Sequence, residues 1–155
     1  MIELRNVAVF HSAKPGSSNP KKRGEMVVSG VNLTVCEGEM VYFIGKVGSG
    51  KSSLIKTLYA EVPLVEGEGG IVGFDLRRMK RRDISRLRRS IGIVFQDYQL
   101  LSDRDVFGNL HYVMKATGWK NETDMRKRIE EVLSIVGLEN KAFKMPFELS
   151  GRQQP

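Results

Sequence analysis

Cysteine is nearly missing from this chain: Cys36 stands alone. No internal disulfide can form, and a reducing compartment, the cytoplasm by default, is the expectation. Long hydrophobic runs are missing as well. No stretch approaches the roughly 18 apolar residues needed to cross a bilayer, and Met1 to Asn6 carries an early acid with no long apolar core behind it. Neither a transmembrane helix nor a signal peptide is expected. Aromatic residues make up only 8% of the chain, and none interleaves with the basic run from Arg77 to Arg89 in the way single-strand binders require. Nucleic acid is therefore set aside.

What is present is a globular composition. The 155 residues are 41% hydrophobic, enough for one domain with a real core. The formal charge of +7 is concentrated in Arg77-Arg78-Met79-Lys80-Arg81-Arg82 and Arg86-Leu87-Arg88-Arg89. One reading is a solvated helix face with Met79, Ile84 and Leu87 turned inward; the other is a surface near lipid headgroups or an acidic partner loop.

Residues 45 to 52 read Gly45-Lys46-Val47-Gly48-Ser49-Gly50-Lys51-Ser52, a complete G-x-x-x-x-G-K-[ST] phosphate-binding loop. It follows the apolar run Met40 to Ile44, which reads as a buried strand, and precedes Ser52 to Ala60, whose apolar spacing predicts a helix. Glycines at 45, 48 and 50 let backbone N–H groups turn inward around phosphate oxygens, and the helix beginning near Lys51 adds its positive dipole end. On this geometry Lys51 reaches the β- and γ-phosphates of a nucleotide and Ser52 coordinates Mg²⁺, with Ser53 completing the nucleotide-binding stretch.

Around the loop, Ile2 to Val9 and Val27 to Val35 alternate as strands, with a long surface loop from Ser12 to Gly24 between them and a turn at Cys36 to Glu39. Ile71 to Phe74 reads as a short strand and Ile91 to Phe95 as a strongly apolar one. This order predicts an α/β fold with an antiparallel front layer and a parallel core sheet. Helices are predicted over Val106 to Thr117 and Asp124 to Val136, the second capped by Asn121 or Thr123, stopped at Gly137, and striped by Met125, Ile129, Val132, Leu133 and Val136. No linker or repeat indicates a second independent domain. The organisation expected is an antiparallel layer and phosphate-loop core over 1–95, then a helical subdomain over 96–150.

A phosphate loop alone does not choose among kinases, GTPases, helicases and transporter motors. Asn140-Lys141-Ala142-Phe143 begins like a guanine-reading Asn-Lys-x-Asp but ends in Phe, which leaves the base-discriminating carboxylate out. Gln96 ends the second apolar strand, where a side chain reaches the crevice at the strand termini. Leu149-Ser150-Gly151 follows the helical stretches. In this order of parts the chain resembles the ATP-binding cassette ATPases, with Gly45 to Ser52 as Walker A, Gln96 as the Q-loop glutamine and Leu149, Ser150 and Gly151 opening the signature. Within that superfamily, Phe95-Gln96-Asp97, Leu100-Leu101 and Asp103-Arg104 followed by Val106 are similar to the FtsE group of cell-division ATPases; lipoprotein-release and macrolide-export types share the scaffold.

The resemblance implies ATP and Mg²⁺ as ligands, Ser52 and Gln96 as metal contacts, and Gln96 and Lys51 as the residues that couple to hydrolysis. It also implies adenine stacking by Phe10 or His11, a head-to-tail dimer, and a peripheral position on the inner face of the cell membrane beside an integral partner of FtsX type. The pattern breaks after Gly151. Arg152 replaces a glycine, Pro155 stands where a helix extends in the family, and the chain stops before a Walker B strand and switch histidine. A truncated front portion, inactive in hydrolysis by itself, is the expectation, with an apolar edge exposed near Val41 to Ile44 or Ile91 to Phe95.

Overall fold

The computed structural model describes residues 1–11 and 24–149, so the greater part of the predicted 12 to 24 loop and the residues from Ser150 onward lie outside the described residues. The chain divides into two compact units, Met1–Gly92 and Ile93–Pro155.

The first unit is built on a four-stranded antiparallel sheet. Strands β1 (Ile2–His11), β2 (Glu25–Val35), β3 (Glu66–Ile71) and β4 (Phe74–Asp75) take the order β2-β1-β3-β4. Strand β1 pairs with β2 and, as far as Ala8, with β3, and its apolar residues Val7, Ala8, Val9 and Phe10 are all buried. A kink interrupts it at Asn6, which adopts φ 48. The irregularity is held on both flanks: the Asn6 N–H donates to Asn32 Oδ1 at 2.9 Å, and Gly67 on β3 takes φ 85, where a Cβ would stand 2.4 Å from the Asn6 carbonyl oxygen. Only glycine fits there.

Ile71 to Phe74 is not one strand. Ile71 pairs with Phe74 across a two-residue turn in which Val72 and Gly73 have φ 48 and 79. Positive φ at both central positions is the tight hairpin turn that matches strand twist, with Gly73 well suited to it and β-branched Val72 not.

Helix α1 (Lys51–Leu58) buries Ser53, Leu54, Thr57 and Leu58, and helix α2 (Arg81–Arg89) buries Leu87 completely, 0% exposed. Leu54, Leu58 and Leu87 join Leu4, Val7, Val9, Leu64, Ile71 and Leu76 in one apolar core, with Met79 packed at its margin. The inward reading of Leu87 and Met79 thus holds. The two helices are also tied by polar contacts: Arg88 Nε donates to the Tyr59 carbonyl at 3.1 Å, satisfying a backbone acceptor at the C-terminal end of α1.

Two of the strands expected for the core sheet are not formed as such. Among the described residues neither Met40 to Ile44 nor Ile91 to Phe95 forms a strand. Apolar character makes a good strand only where a neighbouring strand completes its hydrogen-bond ladder, and neither run has such a partner among the described residues. Phe43 and Ile91 still pack on the core, but Tyr42 and Ile44 are 76% and 92% exposed and Val94 is 80% exposed.

The second unit pairs helix α3 (Val106–Thr117) with helix α4 (Glu122–Ile135). Each starts on a side-chain cap. Asp105 accepts the Gly108 N–H at 2.7 Å, and Asn121 accepts the N–H groups of Thr123 and Asp124 at 2.9 and 3.4 Å. Helix α4 ends with Gly137 at φ 69 and Leu138 N–H bonded to the Leu133 carbonyl at 2.8 Å, a C-terminal motif that brings Leu138 against Leu133 and Ile129 in the core. Val136, expected in the apolar stripe, is instead 60% exposed: it is the C-cap, where the chain leaves the helical period.

Candidate nucleotide-binding site

Residues 45–50 form a loop that α1 continues directly. Gly50 is the helix N-cap at φ 87, and Gly48 has φ 81. These are left-handed conformations that strongly favour glycine. Space matters as well as torsion: a Cβ at Gly50 would lie 3.0 Å from Val27 Cγ1 and 3.2 Å from Val28 Cβ, and one at Gly45 would lie 3.1 Å from Ser49 Oγ. The Ser49 N–H closes the turn on the Lys46 carbonyl at 3.2 Å.

The Lys51 side chain folds back across this turn. Its ammonium donates to the carbonyl oxygens of Gly45 and Lys46 at 2.8 and 2.7 Å and to Ser49 Oγ at 3.3 Å. A cation is thereby held over the loop at the N-terminal end of a helix, where the first backbone N–H groups have no partner within the helix. Ser52 is exposed in the first helical turn, whereas Ser53 is buried and its carbonyl accepts the Thr57 hydroxyl at 3.0 Å. The side chain of Ser53 therefore serves packing, and its N–H belongs to the helix start. Val47, at the loop tip, is fully exposed.

The sheet brings the end of β1 close to this loop. Gly50 packs on Val27 and Val28 of β2, and Val28 lies opposite Val9, Met26 opposite Phe10 and Glu25 opposite His11. Of the two residues considered for adenine, Phe10 is 8% exposed and His11 is exposed.

Gln96 belongs to the second unit. It is exposed within a turn closed by the Tyr98 N–H on the Phe95 carbonyl at 3.2 Å, followed by Tyr98 and Gln99 at φ 55 and 49. Two consecutive left-handed non-glycine residues are uncommon and need support. Asn109 of α3 helps hold the segment that follows: its Oδ1 accepts the Leu101 N–H at 2.8 Å, and its Nδ2 donates to the carbonyls of Leu101, Arg104 and Asp105 at 3.0, 3.1 and 3.0 Å. Sequence reasoning missed Asn109, since an Asn inside an apolar helix gives no signal until its partners are known. The Asp105 carboxylate is committed to its helix cap. Leu149 is buried, 7% exposed, while Ser150 and Gly151 lie outside the described residues.

Elsewhere in the first unit a groove of about 890 Å³ is lined by Glu3, Arg5, Glu68, Phe74, Asp75 and Arg78 among others, and by no residue of the phosphate loop. Its charges answer one another locally, as Arg78 Nε does Asp75 at 3.5 Å. Among the described residues no His, Cys, Asp and Glu cluster could hold a metal by itself, and no helix is long and apolar enough to cross a membrane.

Comparison with known proteins bears on the family. The chain is 42% identical over 154 residues to the cell division ATP-binding protein FtsE of Streptococcus pneumoniae, covering 99% of this chain and 62% of that protein. It is 38% identical over 154 residues to the methionine import ATP-binding protein MetN of Carboxydothermus hydrogenoformans, covering 99% of this chain and 43% of the relative. A dimeric, post-hydrolysis structure of the ATP-binding cassette MJ0796 bound to ADP and Pi superposes with a TM-score of 0.80 at 30% identity, over 99% of this chain and 65% of that one. The chain thus spans less than two thirds of each of these proteins, and the ABC transporter family profile matches residues 28–155. A phosphate loop with its lysine folded over the turn, the fold of an ATP-binding cassette and a family match over most of its length place this chain in the ABC transporter family.

Proposed function

We propose that this chain binds ATP with Mg²⁺ as the nucleotide-binding part of a membrane complex of FtsE–FtsX type, on the inner face of the cell membrane. The observation that carries the reading is the Lys51 ammonium suspended over Gly45 and Lys46 at the start of α1. The donor set suits a polyphosphate: a cation, a helix N-terminus, and a backbone that glycine leaves open at 45, 48 and 50. In use, Lys51 exchanges its carbonyl partners for β- and γ-phosphate oxygens. Ser52, exposed beside it, would supply a hydroxyl to Mg²⁺. His11, exposed at the end of β1, is the adenine-stacking residue we favour over buried Phe10. When bound, Mg²⁺ neutralises charge between the phosphates.

In this reading turnover is proposed for the full-length relatives, through Walker B carboxylates, a switch histidine and a second copy bound head to tail. The identity to FtsE supports a cell-division role, and the 38% identity to MetN supports an importer role as the second reading. Displacement of a fluorescent ATP analogue tests the ligand: ATP with Mg²⁺ should compete, GTP less well, and Ser52→Ala should weaken the Mg²⁺ dependence. Capture of an FtsX-type membrane protein, and not of a methionine permease, by the full-length relative carrying this segment separates the two roles.

A further inference from the structure

The basic helix α2 has no part in the nucleotide site. Between Arg77 and Arg89 eight cationic side chains and one acid give +7, equal to the formal net charge of the whole chain. The remainder of the protein is balanced, so this segment holds the excess.

Geometry divides six of these cations into two sets. Arg88 is spent on the Tyr59 carbonyl of α1, Arg77 donates to the Gly67 carbonyl at 3.2 Å and Arg78 faces Asp75. Arg81, Arg82 and Arg86 are exposed and, at about 100° per residue, lie within an arc of about 140° opposite buried Leu87. The acid on this helix, Asp83, turns to its N-terminus, where it accepts the Lys80 N–H at 3.1 Å, and stands 3.9 Å from Arg82. Ser85 shares the exposed face with the arginines, and no apolar or aromatic side chain lies among them.

We propose that this arginine face of α2 docks the protein on an anionic phospholipid surface, a step that deepens the membrane-face reading above and rests on it. A typical protein–protein footprint has an apolar centre depleted of charge, and this face is charged with no apolar side chain among the arginines. A single strand of nucleic acid needs stacking platforms, also missing here. A fluid sheet of phosphodiesters needs neither: guanidinium groups pair with phosphate in a forked geometry, and lipids rearrange beneath a convex array of charges. Each cation near such a surface contributes about 1 kcal/mol, so several together make reversible docking.

The test is sedimentation of the purified chain with vesicles of phosphatidylglycerol and phosphatidylcholine, against phosphatidylcholine alone. Binding is expected to require the anionic lipid and to fall steeply with salt. Arg81→Gln, Arg82→Gln and Arg86→Gln together should lower partitioning about a hundredfold, about 3 kcal/mol at the stated increment per cation. Lys120→Gln, Lys127→Gln and Lys141→Gln, with the same loss of total charge, should lower it less than threefold. Equal loss in both triple variants, or salt-insensitive binding to phosphatidylcholine through exposed Tyr42 and Ile44, overturns the proposal. So does tighter, arginine-dependent binding to polyglutamate or to single-stranded DNA than to the vesicles. Nucleotide affinity of the α2 variants reports separately on the phosphate loop and is expected to stay unchanged.

Discussion

The Lys51 ammonium stands 2.7 Å from the carbonyl oxygen of Lys46, five residues earlier in the chain. This contact closes the phosphate loop on its own lysine. The side chain that would meet a nucleotide is thus already positioned by backbone acceptors before any ligand arrives. The ammonium is ordered at the loop, in carbonyl bonds that phosphate oxygens would have to replace.

Gly67 supplies a test of the sheet. Gly67→Ala forces a Cβ to within 2.4 Å of the Asn6 carbonyl at φ 85, and the loss should be about 3 kcal/mol or more. Gly70→Ala, where the nearest contact is an ordinary 3.8 Å to the Phe74 carbonyl, should change stability by less than about 0.5 kcal/mol. Thermal unfolding of the two variants checks the contrast. Equal midpoints would contradict the kink as described.

Asn109→Ala removes an acceptor from the Leu101 N–H and a donor from three carbonyls. The expected cost is about 2 kcal/mol, at about 1 kcal/mol per part-buried hydrogen bond with some rewetting. Hydrogen exchange should quicken at residues 100–105 and stay unchanged at Ile129 and Leu133. Uniform quickening would mean that Asn109 supports the whole unit and not this segment.

A link between α3 and α4 depends on pH. Hydrogen bonds from Lys115 and then His111 hold the Glu122 carboxyl below its ordinary value of 4.5. Since the folded state favours the ionised form, this contribution is complete above about pH 4.5 and fades as pH falls through the lower folded value. Carboxyl carbon NMR should place the Glu122 midpoint under 4.5 in the native protein and nearer to it in Lys115→Ala. A native midpoint at or above 4.5 would refute the contact.

Short-range rules explain why so much was legible from residues alone. The bounds of α3, the Asn121 cap and the Gly137 stop follow from local chemistry, as does the loop from Gly45 to Ser52, whose spacing carries its own geometry. Leu87 could be assigned inward because charges surround it at helical spacing. What could not be read depends on partners distant in sequence or on torsions. Met40 to Ile44 has a strand's composition, yet composition cannot supply a ladder. Leu64 and Leu76 flank turns and carry no periodic signal, and both are buried in the first core. The turn at Val72-Gly73 sits inside an apolar run that reads as continuous. Asn109 looks like a polar flaw in a helix until Leu101 is seen against it.

Isothermal titration of the chain with Mg·ATP, beside Lys51→Ala of matching far-ultraviolet circular dichroism, tests the phosphate loop most directly. The account predicts saturable heat for the native chain and at least tenfold weaker binding for the variant. Equal affinity in the two, or no heat from well-folded native protein, would contradict it.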